Sequence, residues 1–257
     1  MQAYRTFAQG YDDFMQDINY DEWGAYILKL LEKYNSKKLL GLDLGCGTGK
    51  ITEFLAKQKV DMIGVDLSCD MLLIAKEAAK EQELDILYLE QDMTEFELYG
   101  TVNFIVSICD SINYLLEEEE LLKTFKLVNN YLDPQGVFIF DMNTKYKYQN
   151  ILADNTFAET LEDSCYIWKN YFYEEEEINE YELTLFMKDE GGESYDRSEE
   201  IHHQKAYSIH LIKELLQKSG LEVLAVYDAF TFDEPKEDSE RVYFVAKEIS
   251  KQTKYAD

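Results

Sequence analysis

Short apolar runs alternate with stretches of helical periodicity along most of this chain. The runs are rich in Leu, Ile, Val and Phe, as expected of parallel strands covered on both faces, and they span residues 39–44, 60–66, 86–93, 102–108 and 137–143. Between them, helical spacing of apolar positions predicts helices, for example over 51–56 and from about 117 to 131. Strands that alternate with helices predict an α/β protein with a doubly wound, mostly parallel sheet.

The alternation of strands and helices breaks between residues 146 and 206. Segments 165–173, 178–187 and 195–206 are strand-like, with partial alternation of apolar and polar positions, and the stretches between them have the composition of turns. We therefore predict three or four antiparallel strands that form a small β insertion after the fifth strand.

Two more strands are predicted near the C-terminus, at 221–227 and 241–247, after a helix that Ser208 is placed to cap. Strands joined without a crossover helix are antiparallel neighbours, so the predicted main sheet has seven strands and an antiparallel last strand. We predict a main domain that consists of residues 1–145 and 207–250, and its residues 1–35 are predicted to form an N-terminal lid. Residues 146–206 are predicted to form the inserted β subdomain.

A glycine-rich turn follows the first predicted strand. It reads D-x-G-x-G-x-G from Asp43, with glycines at Gly45, Gly47 and Gly49. Glycine permits positive φ and lets a ligand lie against bare backbone, and the helix that begins here presents free N–H groups. A dinucleotide-binding turn reads G-x-G-x-x-G. In this chain Lys50 occupies the position of the last glycine of that pattern. The Asp43 carboxylate would repel a phosphate, so the turn favours a ligand that carries an ammonium group.

This turn resembles the first motif of the class I S-adenosylmethionine-dependent methyltransferases. Three later stretches resemble further motifs of that family in the same order, at residues 66–72, 91–93 and 132–136. The resemblance implies the seven-stranded methyltransferase sheet, S-adenosylmethionine as the cofactor and methyl transfer as the reaction.

The resemblance also implies where the cofactor lies. Asp66, about twenty residues beyond the glycines, would hold the ribose hydroxyls. Asp92 would accept a hydrogen bond from the adenine amino group, with Met93 against the ring. In the N-terminal segment, Tyr11 of a Tyr-Asp pair would reach the methionine end. The complete set of implied cofactor contacts is Tyr11, Trp23, Asp43, Gly45, Cys46, Gly47, Gly49, Asp66, Leu67, Met71, Gln91, Asp92, Met93, Cys109 and Asp110.

Four residues are candidates for the transfer step. A sulfonium methyl group is already activated, so a base is needed only if the acceptor arrives protonated. Asp110 and Tyr114 follow the fourth strand, at the carboxyl edge where α/β sheets bind ligands. Tyr114 stands where some of the resembled amino-sugar N-methyltransferases have histidine. His202 and His203 are neighbours on a predicted strand and face opposite sides, so one of them can enter the cleft.

Composition narrows the expected partners. The chain has 257 residues, with 52 acidic against 25 basic residues and a formal net charge of −27. This charge opposes binding to nucleic acids and anionic membranes, because such binding depends on Lys and Arg. Four widely spaced cysteines form neither a zinc pattern nor a disulfide framework, so we expect no metal, and Cys46, Cys69 and Cys109 are expected to be buried. No apolar run approaches membrane-spanning length and no signal region is evident, so we expect a cytoplasmic protein.

Together these patterns predict an S-adenosylmethionine-dependent methyltransferase that moves a methyl group to nitrogen or oxygen of a small molecule. Two alternatives use the same cofactor site: a non-catalytic regulator or scaffold that binds S-adenosylmethionine, and a methyltransferase that acts on a protein side chain. A nucleotide-dependent oxidoreductase is disfavoured by Lys50 and by the antiparallel end of the predicted sheet.

Overall fold

A computed structural model of the protein describes residues 19–34, 36–189, 191–192 and 194–251. Within these residues the strands are β1 Leu40–Leu44, β2 Asp61–Asp66, β3 Ile86–Glu90, β4 Val102–Ser107, β5 Leu132–Asn143, β6 Thr156–Thr160, β7 Ser164–Tyr173, β8 Ile178–Lys188, β9 Tyr195–Lys205, β10 Leu221–Asp228 and β11 Arg241–Glu248. The α-helices are α1 Tyr20–Lys33, α2 Lys50–Lys57, α3 Cys69–Glu81, α4 Glu118–Tyr131 and α5 Ile209–Lys218. A 3₁₀ turn covers Ser111–Tyr114 and a π-helical turn covers Lys147–Leu152.

Seven strands form the main sheet, in the order β10-β11-β5-β4-β1-β2-β3. Strand β11 runs antiparallel to both of its neighbours, and the remaining neighbours pair in parallel. The predicted fold class, a mostly parallel sheet with an antiparallel last strand, is confirmed.

Helices cover both faces of this sheet, as the continuously apolar strands require. Along β5, Phe138 and Phe140 pack with α4 and α5 on one face, whereas Val137 and Ile139 pack with α1 and α2 on the other. All four side chains are buried. Side chains alternate along a strand, so a strand that is covered on both faces has consecutive apolar residues, and this is the pattern of the sequence over 137–140.

Two predicted strands have different ends in the structure. The third strand ends at Glu90 and not at residue 93, because the chain turns there: the Asp92 Oδ1 accepts the Thr94 N–H at 2.7 Å. The fifth strand begins at Leu132, directly after α4, and an irregular stretch of pairing with β4 carries it through Pro134.

The second sheet is built from β6, β7, β8 and β9 in chain order, all antiparallel, and this confirms the predicted β insertion. Its first strand, Thr156–Thr160, had no counterpart among the predicted segments. We call the face that carries the buried Tyr181, Leu183 and Leu185 of β8 the inner face of this sheet.

Three hydrogen bonds hold the second sheet against the loop that follows β4. Gln204 Nε2 donates to Asp110 Oδ2 at 2.6 Å, and Asn113 Nδ2 donates to the Lys205 carbonyl at 2.8 Å. Just beyond β9, the Tyr207 hydroxyl donates to the Leu115 carbonyl at 2.6 Å. The inner face therefore lies beside the carboxyl edge of the main sheet.

The expectation of buried cysteines is wrong for Cys69. It is exposed because it is the first residue of α3, ahead of the buried positions of that helix, which begin at Leu72, whereas Cys46 and Cys109 are partly buried. Across the described part of the chain, no helix combines the length and the apolar character that a membrane span requires.

Candidate active site

A cavity of about 1080 Å³ lies between the carboxyl edge of the main sheet and the inner face of the second sheet. One end is lined by the glycine turn and by the ends of β2 and β3. The other end is lined by the loop after β4 and by inner-face side chains, among them Trp168 and His202. Ligand pockets have volumes of about 300–1,000 Å³, so this cavity is slightly above the upper end of that range.

The three glycines of the turn differ in the space around the position that a Cβ would occupy. All three have positive φ, at +79°, +54° and +81° for Gly45, Gly47 and Gly49. A Cβ at Gly45 would lie 2.8 Å from Ser111 Cβ, and one at Gly49 would lie 2.4 Å from the Tyr88 hydroxyl. A Cβ at Gly47 would meet no atom within 4 Å, so at this position the bare backbone borders open space where a ligand can lie.

Asp66 ends β2 directly beside the glycine turn. Its Oδ2 accepts the Gly47 N–H at 2.7 Å, and its Oδ1 accepts the Ser68 N–H at 2.8 Å. Burial raises the pKa of this carboxyl, although the backbone hydrogen bonds work in the opposite direction. A carboxylate oxygen has two acceptor positions, so each one can also receive a ligand hydroxyl.

Asp43 is the second-last residue of β1, just before the turn, and is only 2% exposed, although it lines the cavity. Its Oδ2 accepts the Thr52 hydroxyl at 2.6 Å. Burial raises the pKa of Asp43 to about 7, a change that the Thr52 hydrogen bond reduces and the nearby Asp66 increases.

Five further residues that were predicted as cofactor contacts line the cavity, among them Asp92 and Met93, which were predicted at the adenine: Leu67, Met71, Gln91, Asp92 and Met93. Leu67 is exposed, which leaves its side chain open to a ligand. The Gln91 amide is used within the protein, because it donates to the Glu97 carbonyl and accepts the Glu97 N–H, and so it closes the loop after β3.

Asp110 belongs to a buried charge cluster. Its Oδ1 accepts Arg241 Nη2 at 2.6 Å and its Oδ2 accepts Gln204 Nε2, while Arg241 also pairs with Asp141. Burial alone would raise the pKa of Asp110, but the charges of Arg241 and Lys147 outweigh it and hold the pKa below its usual value. Such a carboxylate is a weak proton acceptor. The surroundings of Asp110 therefore suit a residue that anchors the loop better than a base, which was one of its predicted roles.

The loop itself has an uncommon backbone. Cys109 and Asp110 have φ of +62° and +53°, a region that residues other than glycine seldom adopt. Strain of this kind persists only where the surroundings hold it, and the bonds from Arg241 and Gln204 to Asp110 do so here.

Tyr114 and His202 meet at the other end of the cavity. Their ring centroids are 5.9 Å apart in an edge-to-face arrangement, and Tyr114 is 45% exposed toward this space. Removal from bulk water, with the carboxylates of Asp110 and Glu200 nearby, raises the pKa of Tyr114, so its hydroxyl stays protonated at neutral pH.

The two histidines face opposite sides of β9. His202 Nε2 lies 3.0 Å from Glu200 Oε2 in the cavity, whereas His203 Nε2 lies 3.0 Å from Glu180 Oε2 on the outer face. The structure therefore brings His202 to Tyr114 and keeps His203 away from the cavity.

Several cavity residues were not predicted from the sequence: Trp168, Glu200, Gln204 and Arg241. Glu200 and Gln204 stand two residues either side of His202, and the period of a strand puts all three on one face. Of the predicted N-terminal contacts, Trp23 lines the cavity with its ring 5.0 Å from the Arg241 guanidinium carbon, and Tyr11 lies outside the described residues.

Comparison with known proteins identifies the family. A family model described as "Methyltransferase domain" matches residues 42–136. The "Putative methyltransferase GWCH70_2453" of Geobacillus sp. (strain WCH70) is 39% identical over 248 residues, which are 95% of this chain and 99% of that protein. The chain belongs to the class I S-adenosylmethionine-dependent methyltransferases.

Solved structures of methyltransferases share the whole fold. An S-adenosylmethionine-dependent methyltransferase from Clostridium acetobutylicum ATCC 824 superposes with a TM-score of 0.86 at 31% identity, over 95% of this chain and 98% of that one. The sugar N-methyltransferase KedS8 from Streptoalloteichus sp ATCC 53650 has a TM-score of 0.78 at 18% identity, over 93% and 92% of the two chains.

The cofactor of this methyltransferase is S-adenosylmethionine, and the site has the chemistry to hold it. The open space at Gly47 gives a nucleoside access to the backbone. Asp43, Asp66 and Asp92 border the same cavity. Carboxylate oxygens are hydrogen-bond acceptors, and the ammonium, hydroxyl and amino groups of such a ligand are donors.

Proposed function

We propose that this methyltransferase transfers its methyl group to a nitrogen or oxygen atom of a small molecule held against the inner face of the second sheet. The observation that carries the proposal is that one cavity joins the glycine turn to an aromatic and polar compartment at Trp168, Glu200 and His202. A second sheet that walls the cavity limits the acceptor to a molecule that fits inside. The fold shared with KedS8, named as a sugar N-methyltransferase, agrees with such an acceptor.

When bound, S-adenosylmethionine supplies an electrophilic methyl group on a sulfonium. In our proposal Asp66 and Asp92 hold its nucleoside, and Asp43 faces its ammonium group. The protein then has to align the acceptor with this methyl group and keep water out. The loop at Cys109 and the inner face of the second sheet surround the place where the two molecules would meet.

His202 is the residue that we propose as the proton acceptor. In a neutral imidazole one ring nitrogen donates and the other accepts. A hydrogen bond from Nε2–H to Glu200 leaves Nδ1 as the accepting nitrogen and orients the ring. Three other candidates are less suited: Asp110 is held by Arg241, Tyr114 keeps its proton, and His203 is on the outer face.

Cofactor binding is tested by calorimetric titration of S-adenosylmethionine into the wild type and Asp66→Ala. We expect binding at least about tenfold weaker in the variant, which is about 1.4 kcal/mol, because the ribose hydroxyls lose their acceptor. Asp61→Ala, at the exposed start of the same strand, is the matched control and should bind normally. Equal affinity in Asp66→Ala would contradict the ribose assignment.

The acceptor is sought by a metabolite screen that measures release of S-adenosylhomocysteine. Once an acceptor is identified, we expect His202→Ala to lower kcat by about a hundredfold or more, in the range of general base catalysis, and His203→Ala to leave it nearly unchanged. Equal effects of the two substitutions would refute the role of His202. A protein that binds the cofactor but turns over no small molecule would refute the proposed function.

A further inference from the structure

We infer that the acceptor enters the cavity as a protonated amine and that the Glu200 carboxylate recognises its charge. This inference rests on the proposed function and narrows its acceptor to one chemical class. It begins from the position of Glu200, which lies on the inner face of β9 directly across from Leu183.

Glu200 is a carboxylate that is largely withdrawn from water. Its side chain is 13% exposed, and Tyr166, Trp168 and Leu183 line the same compartment. A carboxylate removed from water is costly unless hydrogen bonds and a counter-charge compensate it. A buried carboxylate of this kind suits a site where a bound ligand supplies the positive charge that the protein does not.

The neighbouring carboxylates already have their partners. Asp110 accepts from Arg241 and Gln204, and Glu120 Oε2 accepts the backbone N–H groups of two residues in its own helix cap. Among the described residues, Glu200 forms an ion pair only with His202, through Oε2, and this is a charge pair only when the imidazole is protonated. With neutral His202, Glu200 remains a negative charge that no lysine or arginine of the described chain pairs.

Aromatic rings complete the recognition of a cation. Trp168 and Tyr114 both face the compartment, and ring faces attract ammonium groups. The Trp168 ring is held in place by Phe157 and Tyr181, with centroids 5.2 and 5.5 Å away. A hydroxyl group can donate a hydrogen bond to the carboxylate but gains little from the rings, whereas an ammonium group is attracted by both.

The same pair of residues can prepare the amine for reaction. An ammonium has no free electron pair, so one N–H bond must break before the nitrogen can act as a nucleophile. The proton passes to His202 Nδ1, the electron pair of that bond stays on the nitrogen, and the imidazolium that forms is paired with Glu200. Protonated amines have pKa values of about 8–10, low enough for an imidazole to take their proton, whereas an alcohol holds its proton far more tightly.

Recognition of the cation is tested by fluorescence without any turnover. The chain has two tryptophans, and both line the cavity, so Trp23→Phe leaves Trp168 as the reporter. This protein is titrated with tetramethylammonium chloride, with sodium chloride replaced to keep the ionic strength constant. We expect a saturable change in emission, at least tenfold weaker when Glu200→Gln is added and unaltered by Glu199→Gln on the outer face. The absence of a saturable change, or the same change with Glu200→Gln, would overturn the inference.

Turnover separates this inference from the proposed function. The S-adenosylhomocysteine assay is run on pairs of amines and their hydroxyl analogues, such as glucosamine and glucose. We expect activity with amines only, and a tenfold or greater increase in KM for the amine in Glu200→Gln. Comparable activity on hydroxyl analogues would overturn the inference and leave the proposed function standing. If no member of any pair is methylated while calorimetry detects cofactor binding, the proposed function fails as well.

Discussion

Asp43 illustrates how a single residue takes its properties from its neighbours. The motif predicts a carboxylate at the end of the first strand, but its protonation depends on burial beneath α2, whose Thr52 donates to it. Burial and the nearby Asp66 raise its pKa to about 7. The motif therefore predicted the residue, and only the packing around it set its charge.

The stability of the ligand-free protein should fall as pH rises from about 4 to about 7. The Asp43 carboxyl ionises near 3.8 in the unfolded chain but keeps its proton up to about pH 7 when folded. Between these values the folded state binds more protons, so the free energy of unfolding decreases by up to about 1.4 kcal/mol per pH unit. Urea denaturation at a series of pH values measures this slope.

Asp43→Asn is the matched test of that slope, because asparagine has a similar shape and does not titrate. The variant should show a weaker decrease of stability over the same pH range, whereas Asp61→Asn at an exposed position should behave as the wild type. Asp66, whose pKa is also raised, contributes a decrease of the same sign and is present in all three proteins. An unchanged slope in Asp43→Asn would show that another group is responsible.

At the scale of elements, β9 is the strand that joins the two sheets. Gln204 donates to Asp110 and accepts the hydroxyls of Tyr148 and Tyr181, and it is 1% exposed. Glu200 and His202 lie on the same face of the same strand. Of the three hydrogen bonds that hold the second sheet against the loop after β4, the one from Gln204 therefore comes from the face of β9 that carries the proposed acceptor compartment.

Gln204→Leu should lower kcat by about tenfold or more, because displacement of aligned groups by about 1 Å can cost a hundredfold. The affinity for S-adenosylmethionine should change little, since the glycine turn and Asp66 are untouched. Each buried polar group left unpaired should cost about 1–3 kcal/mol of stability. Steady-state kinetics, calorimetry and urea denaturation measure these three quantities.

Gln82→Leu is the control for stability alone. The Gln82 amide also holds a carboxylate, with Nε2 donating to Glu53 Oε2 at 2.7 Å, but it lies outside the cavity at the end of α3. The Gln82→Leu substitution should lower the stability of the protein and leave kcat nearly unchanged. If both substitutions reduce kcat equally, Gln204 has no special role in alignment.

The whole molecule carries a formal net charge of −27. Charges of one sign repel each other in the compact state, and they also oppose contact with phosphate-rich partners. That nucleic acids and membranes are not partners remains a prediction from this charge.

Added salt should therefore raise the thermal stability of the protein. Between about 10 mM and about 1 M ionic strength the Debye length falls from about 30 Å to about 3 Å, which screens most of the repulsion at the surface. We expect Tm to rise by a few degrees in NaCl, and equally in KCl because screening does not depend on the cation. A constant or falling Tm would show that surface repulsion contributes little.

The sequence by itself determined the class of the main sheet and the order of its elements along the chain, and its motifs predicted the cofactor end of the site. Apolar periodicity is a local signal, and each predicted cofactor motif is contiguous and lies at the end of a strand, where a parallel sheet collects its ligands. For this reason the motifs single out Asp43, Gly47 and Asp66, which the structure places along one cavity. That these residues hold the cofactor remains a prediction.

Only the tertiary structure decided how the other end of the cavity is arranged. Arg241 and Gln204 both bond to Asp110, although they are separated from it by 131 and 94 residues in the sequence. No local sequence pattern predicts either contact. The inner face of the second sheet likewise became defined only when that sheet packed against the main one, which turned His202 inward and His203 outward. Residues that act through distant partners acquire their roles when the chain folds, because their contacts do not exist before then.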